Sequence, residues 1–172
     1  DGHIYVVDYD HMGTLFDRVE AAPICGTSTD QCIWFWAGMI VTQPTLTEVN
    51  GEPVALVPTF MPDQSQEAGI RAYAVRNEEG QAKLHELWRF PLAGTPEAVQ
   101  RFRRHPSRMV VGTHGDPATD IGWIFETASP GGIGNLIGLK MENGARLVDR
   151  PLHGPGYRFT KPLLYGDRIY LN

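Results

Sequence analysis

The side chains best suited to acid–base or metal chemistry in this 172-residue chain are its six histidines, His3, His11, His85, His105, His114 and His153. None stands in an HxH, HExxH or CxxCH pattern, so their spacing signals neither a standard zinc site nor haem attachment. Two sit in glycine-rich loops, His114 in Thr113-His114-Gly115-Asp116 and His153 in Leu152-His153-Gly154-Pro155-Gly156. Loops carried on a rigid scaffold are where binding residues concentrate. His114, Asp116 and His153 are therefore the candidate site residues, with no catalytic role attached to any of them.

Other patterns are weaker. Asp8, Asp10 and Gly13 have the look of an acidic calcium loop, but the fifth and twelfth positions are Met12 and Val19, which cannot ligate. Turn chemistry accounts for them better. Asp116, Asp120 and Glu126 could gather around a hard cation, although their spacing does not demand one. There is no GxSxG elbow, Walker loop or Rossmann fingerprint. Gly131-Gly132-Ile133-Gly134 lacks the following helix that a phosphate cradle needs.

The two cysteines, Cys25 and Cys32, flank a Gly/Ser/Thr-rich loop and can reach each other. A bridge there would stabilise by about 2.5 kcal/mol through loop entropy and would place the chain in the periplasm or outside the cell. Two free buried thiols or a metal pair are the alternatives. A basic cluster, Arg101, Arg103, Arg104, His105 and Arg108, reads as a solvated helix face or as an anion or partner site. The net charge of −5 argues against a nucleic-acid binder. No apolar run approaches the roughly 18 residues of a membrane span. The chain opens on Asp1 without a signal peptide, which reads as a processed product or a piece of a longer polypeptide.

Short strands must position these residues. Residues 1–172 read as a single all-β domain, 42% hydrophobic and large enough for a real core. Hairpins are expected at Thr42–Val49 with Pro53–Phe60 around Asn50-Gly51, and at Ile70–Val75 with Lys83–Phe90. Another is expected at Leu136–Met141 with Arg146–Arg150. Further strands are expected at His3–Asp8, Thr14–Glu20, Met109–Thr113 and Gly122–Thr127, with two more between Lys161 and Leu171. One short helical insertion is expected over 95–104, with Thr95 as N-cap, Pro96 at its first position and Pro106 as its stop. Val99 and Phe102 would face the sheet.

An apolar strand running into an acidic or Asn-containing turn closed by glycine recurs at Gly13, Gly80 and Gly144. Grouped with the strands around it, the unit is four antiparallel strands, the plan of a propeller blade. The spacing exceeds the usual blade repeat of about 40 to 50 residues, which makes Pro62–Ala68 and Leu92–Pro106 insertions. The end of the chain supplies the first two strands of a further unit and its beginning the last two. About three blades result, fewer than the four or more that closed propellers have. The ring is therefore partial, or completed by other chains.

Ala72-Tyr73-Ala74-Val75 with Gly80 and Leu87-Trp88 resembles the repeat of the pyrroloquinoline-quinone (PQQ) type, the quinoprotein-like β-propellers. Tyr5-Val6-Val7-Asp8 with Gly13, and Ile137-Gly138-Leu139 with Gly144, resemble it without the closing Trp. The catalytic members share an adjacent Cys-Cys pair, a Trp platform and calcium ligands. No Cys-Cys occurs here, and Trp34, Trp36, Trp88 and Trp123 read as blade-packing residues, so no catalytic residue carries over. The repeated sheets, missing catalytic motifs and incomplete closure point to a non-catalytic scaffold or interaction subunit outside the cytoplasm, partnered by other blades or subunits. The alternative is part of a PQQ- or metal-dependent periplasmic oxidoreductase, with PQQ or calcium as cofactor.

Overall fold

The computed structural model describes residues 2–22, 40, 42–62, 65–113, 119–128, 131–156 and 160–171. Cys25, Cys32, Trp34, Trp36, His114 and Asp116 lie outside these residues. Among the described residues the fold is mostly β, and its strand pairs are antiparallel. In chain order the strands are β1 (His3–Val7), β2 (Leu15–Glu20), β3 (Thr45–Val49), β4 (Glu52–Pro58), β5 (Ile70–Glu78) and β6 (Gln81–Phe90). After the helix α1 (Pro96–Gln100) come β7 (Val110–Gly112), β8 (Ile121–Glu126), β9 (Asn135–Lys140), β10 (Arg146–Pro151), β11 (Leu163–Tyr165) and β12 (Arg168–Tyr170).

Two of the sheets are four-stranded meanders, β3-β4-β5-β6 and β7-β8-β9-β10, and two are hairpins, β1-β2 and β11-β12. The grouping of consecutive strands matches the four-strand unit expected from the sequence. Among the described residues the strands form no closed ring. The turns explain the hairpins. Asn50 and Gly51 have φ of 53° and 79°, and Glu79 and Gly80 of 53° and 83°. Both residues of each pair are left-handed, as the tight turn whose twist suits a hairpin requires.

The sheets lie face to face. Val54 and Leu56 of β4, Ile70 and Ala72 of β5, and Trp88 and Phe90 of β6 share a core with Ile124, Ile137, Leu139 and Met141 from the second meander. Val57, Tyr73 and Leu84 on the opposite face of the first meander pack with Ile4, Val6 and Val19 of β1 and β2. A bulge makes this possible. Ala72 pairs with Trp88 but Tyr73 pairs with Glu86, so Leu87 is an extra residue in β6. One extra residue flips the side-chain alternation. Leu84 and Trp88, four residues apart, therefore point to opposite layers.

Trp88 crosses the joint between the meanders. Its indole Nε1–H donates to the Met141 carbonyl at 2.8 Å. A Cβ added to Gly144, whose φ is +72°, would lie 2.5 Å from the Trp88 ring. The ring thus rests directly on the backbone of the β9–β10 turn. At the other edge of the stack, Thr45 at the start of β3 donates its hydroxyl to the Met109 carbonyl at 2.6 Å, just before β7. First strand lies by first strand, and fourth strand by the third–fourth turn.

The helix is shorter than expected. It ends at Gln100, Arg101 is extended with φ −90° and ψ 170°, and Phe102 is left-handed with φ 53°. The expected N-cap bond is absent. Thr95 instead donates its hydroxyl to the Leu92 carbonyl at 2.6 Å. Ala98 is the buried face of α1, and leaving the helix lets Phe102 drop into the core at 0% exposure.

Trp88→Ala should lower unfolding stability by about 3–5 kcal/mol in urea titrations. Trp88→Phe, which keeps most of the ring, should cost mainly the Met141 hydrogen bond, about 1 kcal/mol. Equal effects would mean that the ring contact contributes nothing. Tyr73 yields a pH test. It is 3% exposed, and its hydroxyl has no hydrogen-bond partner among the described residues. Burial raises its pKa above the ordinary value, against the opposing pull of Arg71. A raised phenol contributes stability that is complete below the unfolded pKa of about 10 and is lost as pH climbs through the folded value. Tyr73→Phe should match or exceed the parent near pH 7 and show a shallower loss of stability above about pH 10.

Candidate functional site

The described histidines are not brought together. His3 Nε2 lies 3.1 Å from Arg18 Nη2, and His85 pairs with Glu78 at 2.8 Å. His105 sits edge-on to Phe60 with centroids 4.3 Å apart. His11 contacts Asp8 at 3.1 Å, and Asp8 also accepts the Asp10 and His11 amides at 2.9 and 3.2 Å. That carboxylate closes its own turn. Among the described residues no group of three or more His, Cys, Asp or Glu side chains could hold a metal ion.

His153 is exposed at an apolar pocket of about 450 Å³ walled by Phe125, Leu152, Pro155 and Leu171. Its loop is pinned by backbone bonds. Leu152 N donates to the Gly134 carbonyl, Gly134 N to the Gly154 carbonyl and Ala128 N to the Pro155 carbonyl, all at 2.8–2.9 Å. Among the described residues no other titratable side chain lines this pocket.

The more developed site lies at the basic segment. Arg101, with only 12% of its side chain exposed, meets three carboxylates from three elements. Nε and Nη2 donate to Glu126 Oε2 at 2.8 and 2.5 Å. Nη1 donates to Glu97 at 3.0 Å and to Asp149 Oδ2 at 2.7 Å, and Nη2 reaches Asp149 Oδ1 at 3.2 Å. The other Glu126 oxygen accepts the Phe102 amide at 2.7 Å. Arg146 also donates to Glu97 and Asp149, and both guanidinium groups lie over the Phe90 ring. Burial acts to lower the Arg101 pKa, but the hydrogen bonds it donates to Asp149, Glu126 and Glu97 outweigh burial and raise it above the ordinary arginine range. Arg101 therefore stays charged at every workable pH and ties α1 to β8 and β10.

Beside this network opens a cleft of about 540 Å³, lined by Gln100, Arg101, Arg103 and Arg104 on one side and by Glu126, Thr127, Asn135 and Asp149 on the other. Its signal in the sequence was the basic cluster. Only Glu97, four residues before Arg101, was close enough in sequence to reveal a partner. Glu126 is committed to Arg101 and Phe102, which leaves the cation grouping considered for Asp116, Asp120 and Glu126 without one of its members.

No family model, curated protein or solved structure matches the chain.

Arg101→Met should strand the Glu126 carboxylate, itself 12% exposed, and destabilise by about 3 kcal/mol. Adding Glu126→Gln should recover part of that loss. A double-mutant cycle by urea unfolding reads the coupling, and strict additivity would mean that the pair is not energetically linked.

Proposed function

We propose that this chain is a non-catalytic scaffold built of propeller-type blades and completed by strands from further blades or subunits in an extracytoplasmic assembly. The observation that carries this reading is the complementarity of the two hairpin sheets. β1-β2 packs against β6, the last strand of the first meander. β11 packs against β7, the first strand of the second, where Leu164 Cδ1 would lie 3.3 Å from a Cβ on Gly112. One hairpin thus occupies the place of a third and fourth strand, and the other that of a first and second.

Both hairpins expose large apolar side chains. Tyr5, Val7 and Leu15 are uncovered on one, and Leu163, Tyr165 and Tyr170 on the other. Exposed strand edges and apolar patches are what natural β proteins cover. Strands supplied from outside the chain would cover them here and complete the four-strand units. The arginine network supports a structural role for the inserted segment, since its carboxylates are engaged in holding α1. The extracytoplasmic location rests on the Cys25 and Cys32 pair.

Light scattering on the purified chain tests the reading. The expected result is a mass above the 19.1 kDa of one copy, reduced to one copy by Leu163→Asp with Tyr165→Asp at unchanged secondary structure. A stable monomer at high concentration that buries both hairpins by itself would count against it. Stoichiometric quinone absorbance in native material would overturn the non-catalytic assignment.

A further inference from the structure

The cleft beside α1 has features that its ion pairs leave unexplained. All the Arg101 nitrogens are committed to carboxylates. Arg103 differs. Its two hydrogen bonds go to the Pro62 carbonyl at 3.3 and 3.2 Å, a neutral acceptor, and among the described residues no carboxylate pairs with it. Arg104 follows it in the same wall, and Gln100 and Asn135 add side-chain amides. Ile133, 61% exposed, gives the cleft an apolar surface. The volume falls within the roughly 300–1,000 Å³ of small-molecule sites.

We propose that this cleft binds an acidic sugar, with its carboxylate at Arg103, its hydroxyls on Gln100 and Asn135, and an apolar ring face on Ile133. Arginine suits a carboxylate because its donors form a planar fork. A compact dianion such as phosphate fits less well, because Glu126 and Asp149 line the same cleft and would repel dense negative charge. The spare lone pairs of those carboxylates can instead accept from sugar hydroxyls. The inference is independent of how the hairpin sheets are completed.

Titration calorimetry with galacturonate, galactose and inorganic phosphate as probes tests it. Galacturonate should bind, with galactose at least about tenfold weaker, since the charged contact alone distinguishes them. Arg103→Gln should weaken galacturonate by about fivefold or more without moving the urea midpoint. Gln100→Ala, on the exposed side of α1, should weaken galacturonate and galactose alike and supplies a second reading should an arginine variant fail to fold. Equal binding of galactose, tighter binding of phosphate, or no galacturonate binding at about 20 mM would each overturn the proposal.

Discussion

The fold depends on one aromatic ring resting on one turn. Trp88 stands on the last strand of its sheet and has to meet the next sheet, while Leu84 on the same strand faces the layer before it. A regular strand cannot do this, because residues four apart share a face. The bulge at Leu87 supplies the missing half-step. Once turned, the indole needs both a flat surface and an acceptor. Gly144 provides the first, having no Cβ to hold the ring away, and the Met141 carbonyl provides the second. Buried Trp without a partner for its N–H is costly, so the hydrogen bond fixes where along the turn the ring sits. That in turn sets the register of one sheet over the other.

The second joint works by charge. The segment between β6 and β7 leaves the first sheet and must cross to the second. It carries Phe102 into the shared core and Arg101 into the three-carboxylate network. A lone guanidinium this buried would be unfavourable, and a lone Glu126 equally so. Together they favour a single arrangement, in which the helix must stop at Gln100 so that Arg101 can extend toward β8 and β10. The helical run is cut short by tertiary ion pairing, not by its own propensity, since Pro106 lies several residues further on.

Local signals were readable from the residues alone. The hairpin at Asn50-Gly51 and the turns at Gly80 and Gly144 follow from positive φ, which glycine and asparagine tolerate and most residues do not. Strand existence followed from alternation. The bulge at Leu87 was not readable, because a single extra residue leaves a strand pattern that still looks regular at each end. The helix end was not readable because Glu126 and Asp149, which fix it, are distant in sequence. For the candidate site the outcome was mixed. His153 does line a pocket, but an apolar one without a second titratable group among the described residues, while the basic cluster gave the polar cleft without revealing its carboxylate half.

The two joints also bear on why the terminal hairpins stack where they do. Thr45 reaches the chain just before β7, and Trp88 rests on the β9–β10 turn, so equivalent positions in the two meanders lie over each other. A stack that repeats its register in this way offers each new layer the same footholds. β1-β2 meets the first meander through two hydrogen bonds, the Leu84 amide donating to the Asp17 carboxylate at 2.7 Å and the Lys83 ammonium donating to the Phe16 carbonyl at 2.7 Å. β11-β12 meets the second meander at Gly112. Neither hairpin occupies the whole footprint of a meander. Among the described residues β1-β2 reaches β6 and β11 reaches β7, so each hairpin meets an edge strand of its neighbouring meander.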